Sequence, residues 1–145
     1  MKRMNTYFIP SQEYELKIVV TITAIRKLRG VKQYTLADFL NIDRSSYSKL
    51  ESGKVNMSRN KLTKIADFLD TSINSILLIA YSIDPLELER RDIQEISKGL
   101  LTRVGEQKFF SAEELYYIFM TIKRIYLKSR HKSGMHLLKC AIYRT

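Results

Sequence analysis

The sequence has a single cysteine, Cys140, among 145 residues. One thiol cannot close an intramolecular disulfide, so the fold rests on its core, and the usage fits a reducing compartment. Proline and glycine are scarce as well, at 2 and 5. Turns are therefore few, which suits helices joined by short connections. Long apolar runs are missing. The longest, IVVTITAI at 18–25, is far too short to span a bilayer. The opening MKRMNTYFIPSQ has charge but no sustained apolar segment of the kind a signal peptide needs. These absences predict a soluble cytoplasmic chain with no membrane partner. There is no Gly-x-Ser-x-Gly, no phosphate-cradling glycine loop and no His-Glu-x-x-His, so no catalytic constellation and no cofactor are expected. His131, His136 and Cys140 superficially suggest a metal, but the set lacks a fourth ligand and Cys140 sits among apolar residues. No metal site is expected there.

What the sequence does have is positive charge. Its 25 Lys and Arg against 15 Asp and Glu give a net +10. Such a surplus favours nucleic acid or an anionic membrane without choosing between them. It is spread along the chain, net +6 over residues 1–80 and +4 over 81–145. From Lys123 onward seven basic residues occur and no acidic one, which suits either a phosphate-binding end or a solvated basic one. Hydrophobic residues make up 45%, enough for a packed core.

Periodicity predicts an all-α protein. Tyr14, Ile18, Ile22, Ile25 and Leu28 form a helical stripe over 13–29, although its β-branched IVVTIT segment would also suit a strand. Ser11 and Gly30 are the candidate caps. Shorter helices follow at 33–40 and 44–52, the second capped by Asp43 and stopped at Gly53. Ser58 can cap a helix over 59–69, and Ser72 another that turns Ile73, Ile76, Leu77 and Ala80 inward. Asp84 and Pro85 mark a boundary and the start of a helix over 85–98. Ser111 and Glu114 have capping-box spacing and open a long helix over 112–130, with Leu115, Ile118, Phe119, Ile122, Ile125 and Tyr126 inward. Its aromatics suit a core or a dimer seam better than a ligand cage. The final MHLLKCAIYRT fits helix or strand. The expected organisation is a five-helix domain over 11–83 and a helical extension over 84–145.

The centre of the first domain reads QYTLADFLNIDRSSYSKLESG. Gln33, Leu36-Ala37, Ile42, Asp43, Tyr47 and Glu51-x-Gly53 stand at gap-free spacing, and Arg26 precedes them. This pattern resembles the helix-turn-helix of phage repressor and Cro proteins, the xenobiotic-response-element family of regulators, over about Ile22 to Ile79. Asn41 stands where the family usually has glycine, a mild departure because asparagine tolerates the left-handed conformation. Tyr47 fills an inward position usually held by Ile or Val, and core suits it better than base stacking.

The resemblance implies sequence-specific binding of double-stranded DNA by a transcriptional regulator, expected to be a repressor, with helix 44–52 in the major groove. It makes Arg44, Ser45 and Lys49 the base-reading residues, arginine being suited to guanine O6 and N7. Gln33, Ser46, Ser48, Lys54 and Arg59 fall to the sugar-phosphate backbone, Arg59 with access to the minor groove. Arg26 and Glu51 are implied as a structural ion pair. One such helix reads few base pairs, so a homodimer is expected, strengthened by the extension. Two other readings stand beside this one: an autoregulating antitoxin whose extension binds a toxin, and an interaction adaptor that uses the scaffold without DNA.

Overall fold

A computed structural model of the chain describes residues 12–82 and 110–131, with side chains at 15–82 and 110–128. Six helices occur among them and no strand: α1 (Gln12–Leu28), α2 (Gln33–Phe39), α3 (Arg44–Glu51), α4 (Arg59–Phe68), α5 (Ile73–Ser82) and α6 (Ala112–His131). The Ser11 cap, the boundary at Asp84 and Pro85, the helix over 85–98 and the segment after Gly134 lie outside the described residues.

α1 settles the conflict between strand-forming composition and helical spacing. Two threonines within the β-branched run turn their hydroxyls back onto the helix, Thr21 Oγ1 donating to the Lys17 carbonyl at 2.7 Å and Thr23 Oγ1 to that of Val19 at 2.9 Å. That satisfies polar groups which would otherwise compete with the helix. The larger cause is tertiary. α1 packs against α3, α5 and α6, so it is apolar on more than one side. Leu16, Val19, Val20, Ile22, Ala24 and Ile25 are all buried, while Ile18 and Leu28 of the expected stripe are only partly so. A single stripe was the wrong expectation, because a helix covered by three neighbours needs no polar back.

Local chemistry sets the helix starts. Asp43 accepts from the Ser46 amide at 2.6 Å, Ser58 from that of Lys61 at 3.1 Å and Ser72 from that of Ser75 at 3.1 Å. Ser111 and Glu114 form the reciprocal box, at 2.9 and 3.1 Å. Each of these satisfies a donor that the first helical turn leaves unpaired.

Four helix ends share one stop, in which a residue with positive φ is followed by a 6→1 backbone bond. Glycine fills it at Gly30 and Gly53, and with glycine so scarce Asn41 and Asp70 fill the other two, both at φ 59°. At the turn between α2 and α3, the Asn41 amide bonds the Asp38 carbonyl at 3.1 Å and the Ile42 amide that of Ala37 at 3.0 Å.

α6 completes the core. Leu115, Ile118, Phe119, Ile122 and Tyr126 are buried, Ile125 partly, in one hydrophobic cluster with the residues of α1 to α5. Its apolar stripe is thus core. Arg29 fastens the start of α6: Nε donates to the Leu69 carbonyl at 3.0 Å, Nη1 meets Glu114 Oε2 at 3.4 Å, and the guanidinium lies 5.0 Å from the centre of the Phe110 ring. Burying each such aliphatic or aromatic side chain contributes about 1.5–3 kcal/mol.

Candidate nucleic-acid interface

α3 has two unlike faces. Tyr47 and Leu50 are its buried residues, with Tyr47 wholly enclosed. Arg44, Ser45, Ser46, Ser48 and Lys49 are exposed on the other side, as are Lys54 and Arg59 beyond the helix end. The fold therefore brings these polar and cationic residues onto α3, the loop that follows it and the first position of α4. Lys54 takes its position from the end of α3, where its amide bonds the Lys49 carbonyl at 3.0 Å and Gly53 adopts φ 82°. A Cβ at Gly53 would lie 2.3 Å from Leu16 Cδ2, so this turn sits tight against α1.

Asp43, at the start of α3, ties the turn to the helix. Hydrogen bonds from the Ser46 hydroxyl and then the Ser46 amide hold its carboxyl below the ordinary 3.8. Because the folded value is lowered, the cap's stabilisation is fully present above pH 3.8 and is lost as the pH falls through the lowered value. The Ser46 hydroxyl is thereby drawn toward the cap, while Ser48 is simply exposed.

Beneath α3 lies a carboxylate with four donors. Glu51 Oε2 accepts from Arg26 Nε at 2.7 Å and from the Tyr47 hydroxyl at 2.7 Å. Glu51 Oε1 accepts from Arg26 Nη2 at 3.0 Å and from Gln33 Nε2 at 3.0 Å. The remaining guanidinium nitrogen, Nη1, donates to the Val31 carbonyl at 2.8 Å. The Arg26 and Glu51 side chains are only 10% and 5% exposed. A carboxylate has about four lone-pair sites, and all are filled here. Burial first, and the Glu51 charge second, push the Tyr47 hydroxyl far above the usual phenol range, so it remains a donor at any physiological pH.

This network joins α1, α2 and α3 at one point. Two of its members were not legible as such in the sequence. The Tyr47 hydroxyl had a signal, since Tyr47 and Glu51 are four residues apart on one helix face. Gln33 is turned inward, so one of its two amide hydrogens is committed to Glu51. No side chain caps the start of α2. Arg29, the clamp on α6, had no sequence signal, because its carboxylate partner Glu114 lies 85 residues away. Among the described residues no group of three or more His, Cys, Asp or Glu could hold a metal, and no helix is long and apolar enough to cross a membrane.

Comparison with known proteins agrees with this geometry. A helix-turn-helix family model matches residues 22–76, from the middle of α1 into α5. The chain is 30% identical over 93 residues to the SPbeta prophage-derived uncharacterized HTH-type transcriptional regulator YonR of Bacillus subtilis, an alignment covering 64% of this chain and 84% of that protein. No solved structure matches significantly. With the two-faced α3, its docked turn and the Arg26–Glu51 pair beneath it, the chain belongs to the Cro/C1-type helix-turn-helix family of DNA-binding transcriptional regulators.

Proposed function

We propose that the protein is a transcriptional repressor that binds a two-fold-related operator in duplex DNA as a homodimer, with α3 in the major groove. The observation that carries this reading is the division of α3: one face locked through Tyr47, Leu50 and Glu51, the other exposing Arg44, Ser45 and Lys49. Arg44 stands at the first helical position, the end of a recognition helix that reaches base edges. Its planar fork suits guanine, Lys49 reaches the same acceptors and Ser45 can pair with more than one base. Lys54, Arg59 and Ser48 hold the backbone, with Ser46 beside the cap. Gln33 offers its second amide hydrogen, next to the uncapped start of α2, to a phosphate. Half-sites about 34 Å apart are expected for such a dimer.

The toxin-binding and adaptor readings call for an apolar docking face on the extension. Among the described residues of the extension, the apolar stripe from Leu115 to Tyr126 is not such a face, since it is buried against α1.

Selection from random duplex DNA, followed by binding measured across a range of salt, tests the proposal. A paired site should emerge, and affinity should fall steeply with salt. Arg44→Ala should reduce the preference for that site over random DNA by about 1–3 kcal/mol, and Arg59→Ala should weaken all sequences alike. Equal loss on specific and random DNA from Arg44→Ala would refute base reading by this residue.

A further inference from the structure

α6 is polarised by charge. Its first turn holds Glu113 and Glu114, and its second half holds Lys123, Arg124, Lys128 and Arg130 without an acidic residue. The helix dipole favours cations only near the last turn. Arg124 lies about two turns upstream of the helix end at His131, so the dipole does not account for it. Arg124 and Lys128 are both exposed.

The packing places this basic half. α6 begins beside the C-terminal end of α1, where Arg29 meets Glu114 and Phe110. Among the described helices its chief partner is α1, and it stays buried as far as Tyr126. It therefore runs back along α1. From Glu114 to Tyr126 the helix advances about 18 Å, and from Arg29 back to Leu16 α1 retreats about 20 Å. The basic half of α6 thus arrives level with Leu16. Leu16 in turn abuts Gly53, and together with Val19, Lys54 and Val55 it lines a cleft of about 330 Å³ between α1 and the loop after α3.

We propose that the basic half of α6 is a second contact with the DNA backbone, outside the helix-turn-helix, in which Arg124 and Lys128 hold phosphates of the same duplex. The inference rests on the DNA-binding reading above. Its ligand is the phosphodiester backbone of duplex flanking the operator, so it adds affinity and reach without adding base preference. Each cation set on a phosphate releases a counterion and steepens the salt dependence by nearly one unit of slope.

The test uses the full chain and two duplexes, the selected operator with long flanks and the same operator trimmed to its core. The parent protein and Arg124→Ala/Lys128→Ala are titrated on both across a range of salt. On the flanked duplex the double variant should bind at least roughly tenfold more weakly at low salt, with the slope of log affinity against log salt smaller by about 4, since each subunit of the dimer loses two cations. On the trimmed duplex the two proteins should converge, and the ratio of operator to random binding should stay as in the parent. Arg124→Lys/Lys128→Arg, which keeps the charge, should restore the slope. A parent that prefers its operator while the double variant keeps the full slope and affinity overturns this contact alone. A parent with no preferred duplex overturns the DNA reading and this contact with it. Both residues are exposed, so the variants should fold as the parent does, which circular dichroism melts would check.

Discussion

α1 and α3 are both helices of one core, yet they differ in almost every respect. α1 has 17 residues and is packed by three neighbours. α3 has 8 and turns only Tyr47 and Leu50 into the core. α1 tolerates a β-branched run because burial overrides propensity. α3 depends on directed bonds: the local Asp43 cap and Gly53 stop, and the Glu51 hub that ties it to α1 and α2. The comparison separates what must be held from what must be presented. A helix that presents a face cannot draw its stability from being surrounded, so its few inward groups have to fix it by directed bonds.

The sharpest way to break that arrangement is Glu51→Ala. It leaves the Arg26 guanidinium buried without its carboxylate, and stability should fall by about 3–5 kcal/mol, read from denaturant unfolding. Unchanged stability would show that the hub does not hold α3. A smaller loss is expected from Tyr47→Phe, which keeps the ring in place and removes one donor to a charged acceptor. About 1.5–3 kcal/mol should be lost, with operator binding weakened no more than unfolding explains. A loss below 0.5 kcal/mol, roughly the scatter of surface substitutions, would mean that Arg26 and Gln33 suffice. The smallest effect tests the turn that joins the two helices of the motif. Asn41→Gly relieves a left-handed backbone at φ 59° and should raise stability by at most about 1 kcal/mol. Destabilisation there would mean that the asparagine side chain contributes more than its backbone tolerance.

The sequence made legible whatever was local. The caps at Asp43, Ser58, Ser72 and Ser111 and the stop at Gly53 each involve partners within a few residues, and the spacing alone exposes them. The α2–α3 pair was readable for the same reason, helped by its resemblance to a known motif. Non-local contacts were hidden. Nothing near IVVTIT announces that α6 will cover a further side of α1, so the buried set of α1 was drawn too narrow. Gln33 could be placed at the start of a helix, but its turn toward Glu51 depends on how α2 crosses α3. Asp70, as a helix stop, was concealed because aspartate ordinarily signals a start.

The Glu51 hub has a consequence for how such a protein changes over time. The residues that set the angle of α3 are Arg26, Gln33, Tyr47 and Glu51, and the side chains of Arg44, Ser45 and Lys49 are not among them. Substitution at those exposed positions should leave the angle of the helix intact, much as surface changes away from caps and cores leave stability within about 0.5 kcal/mol. A lineage built on this scaffold can therefore drift from one operator to another without passing through unfolded intermediates. The four donors that immobilise one carboxylate are what make the neighbouring surface free to vary.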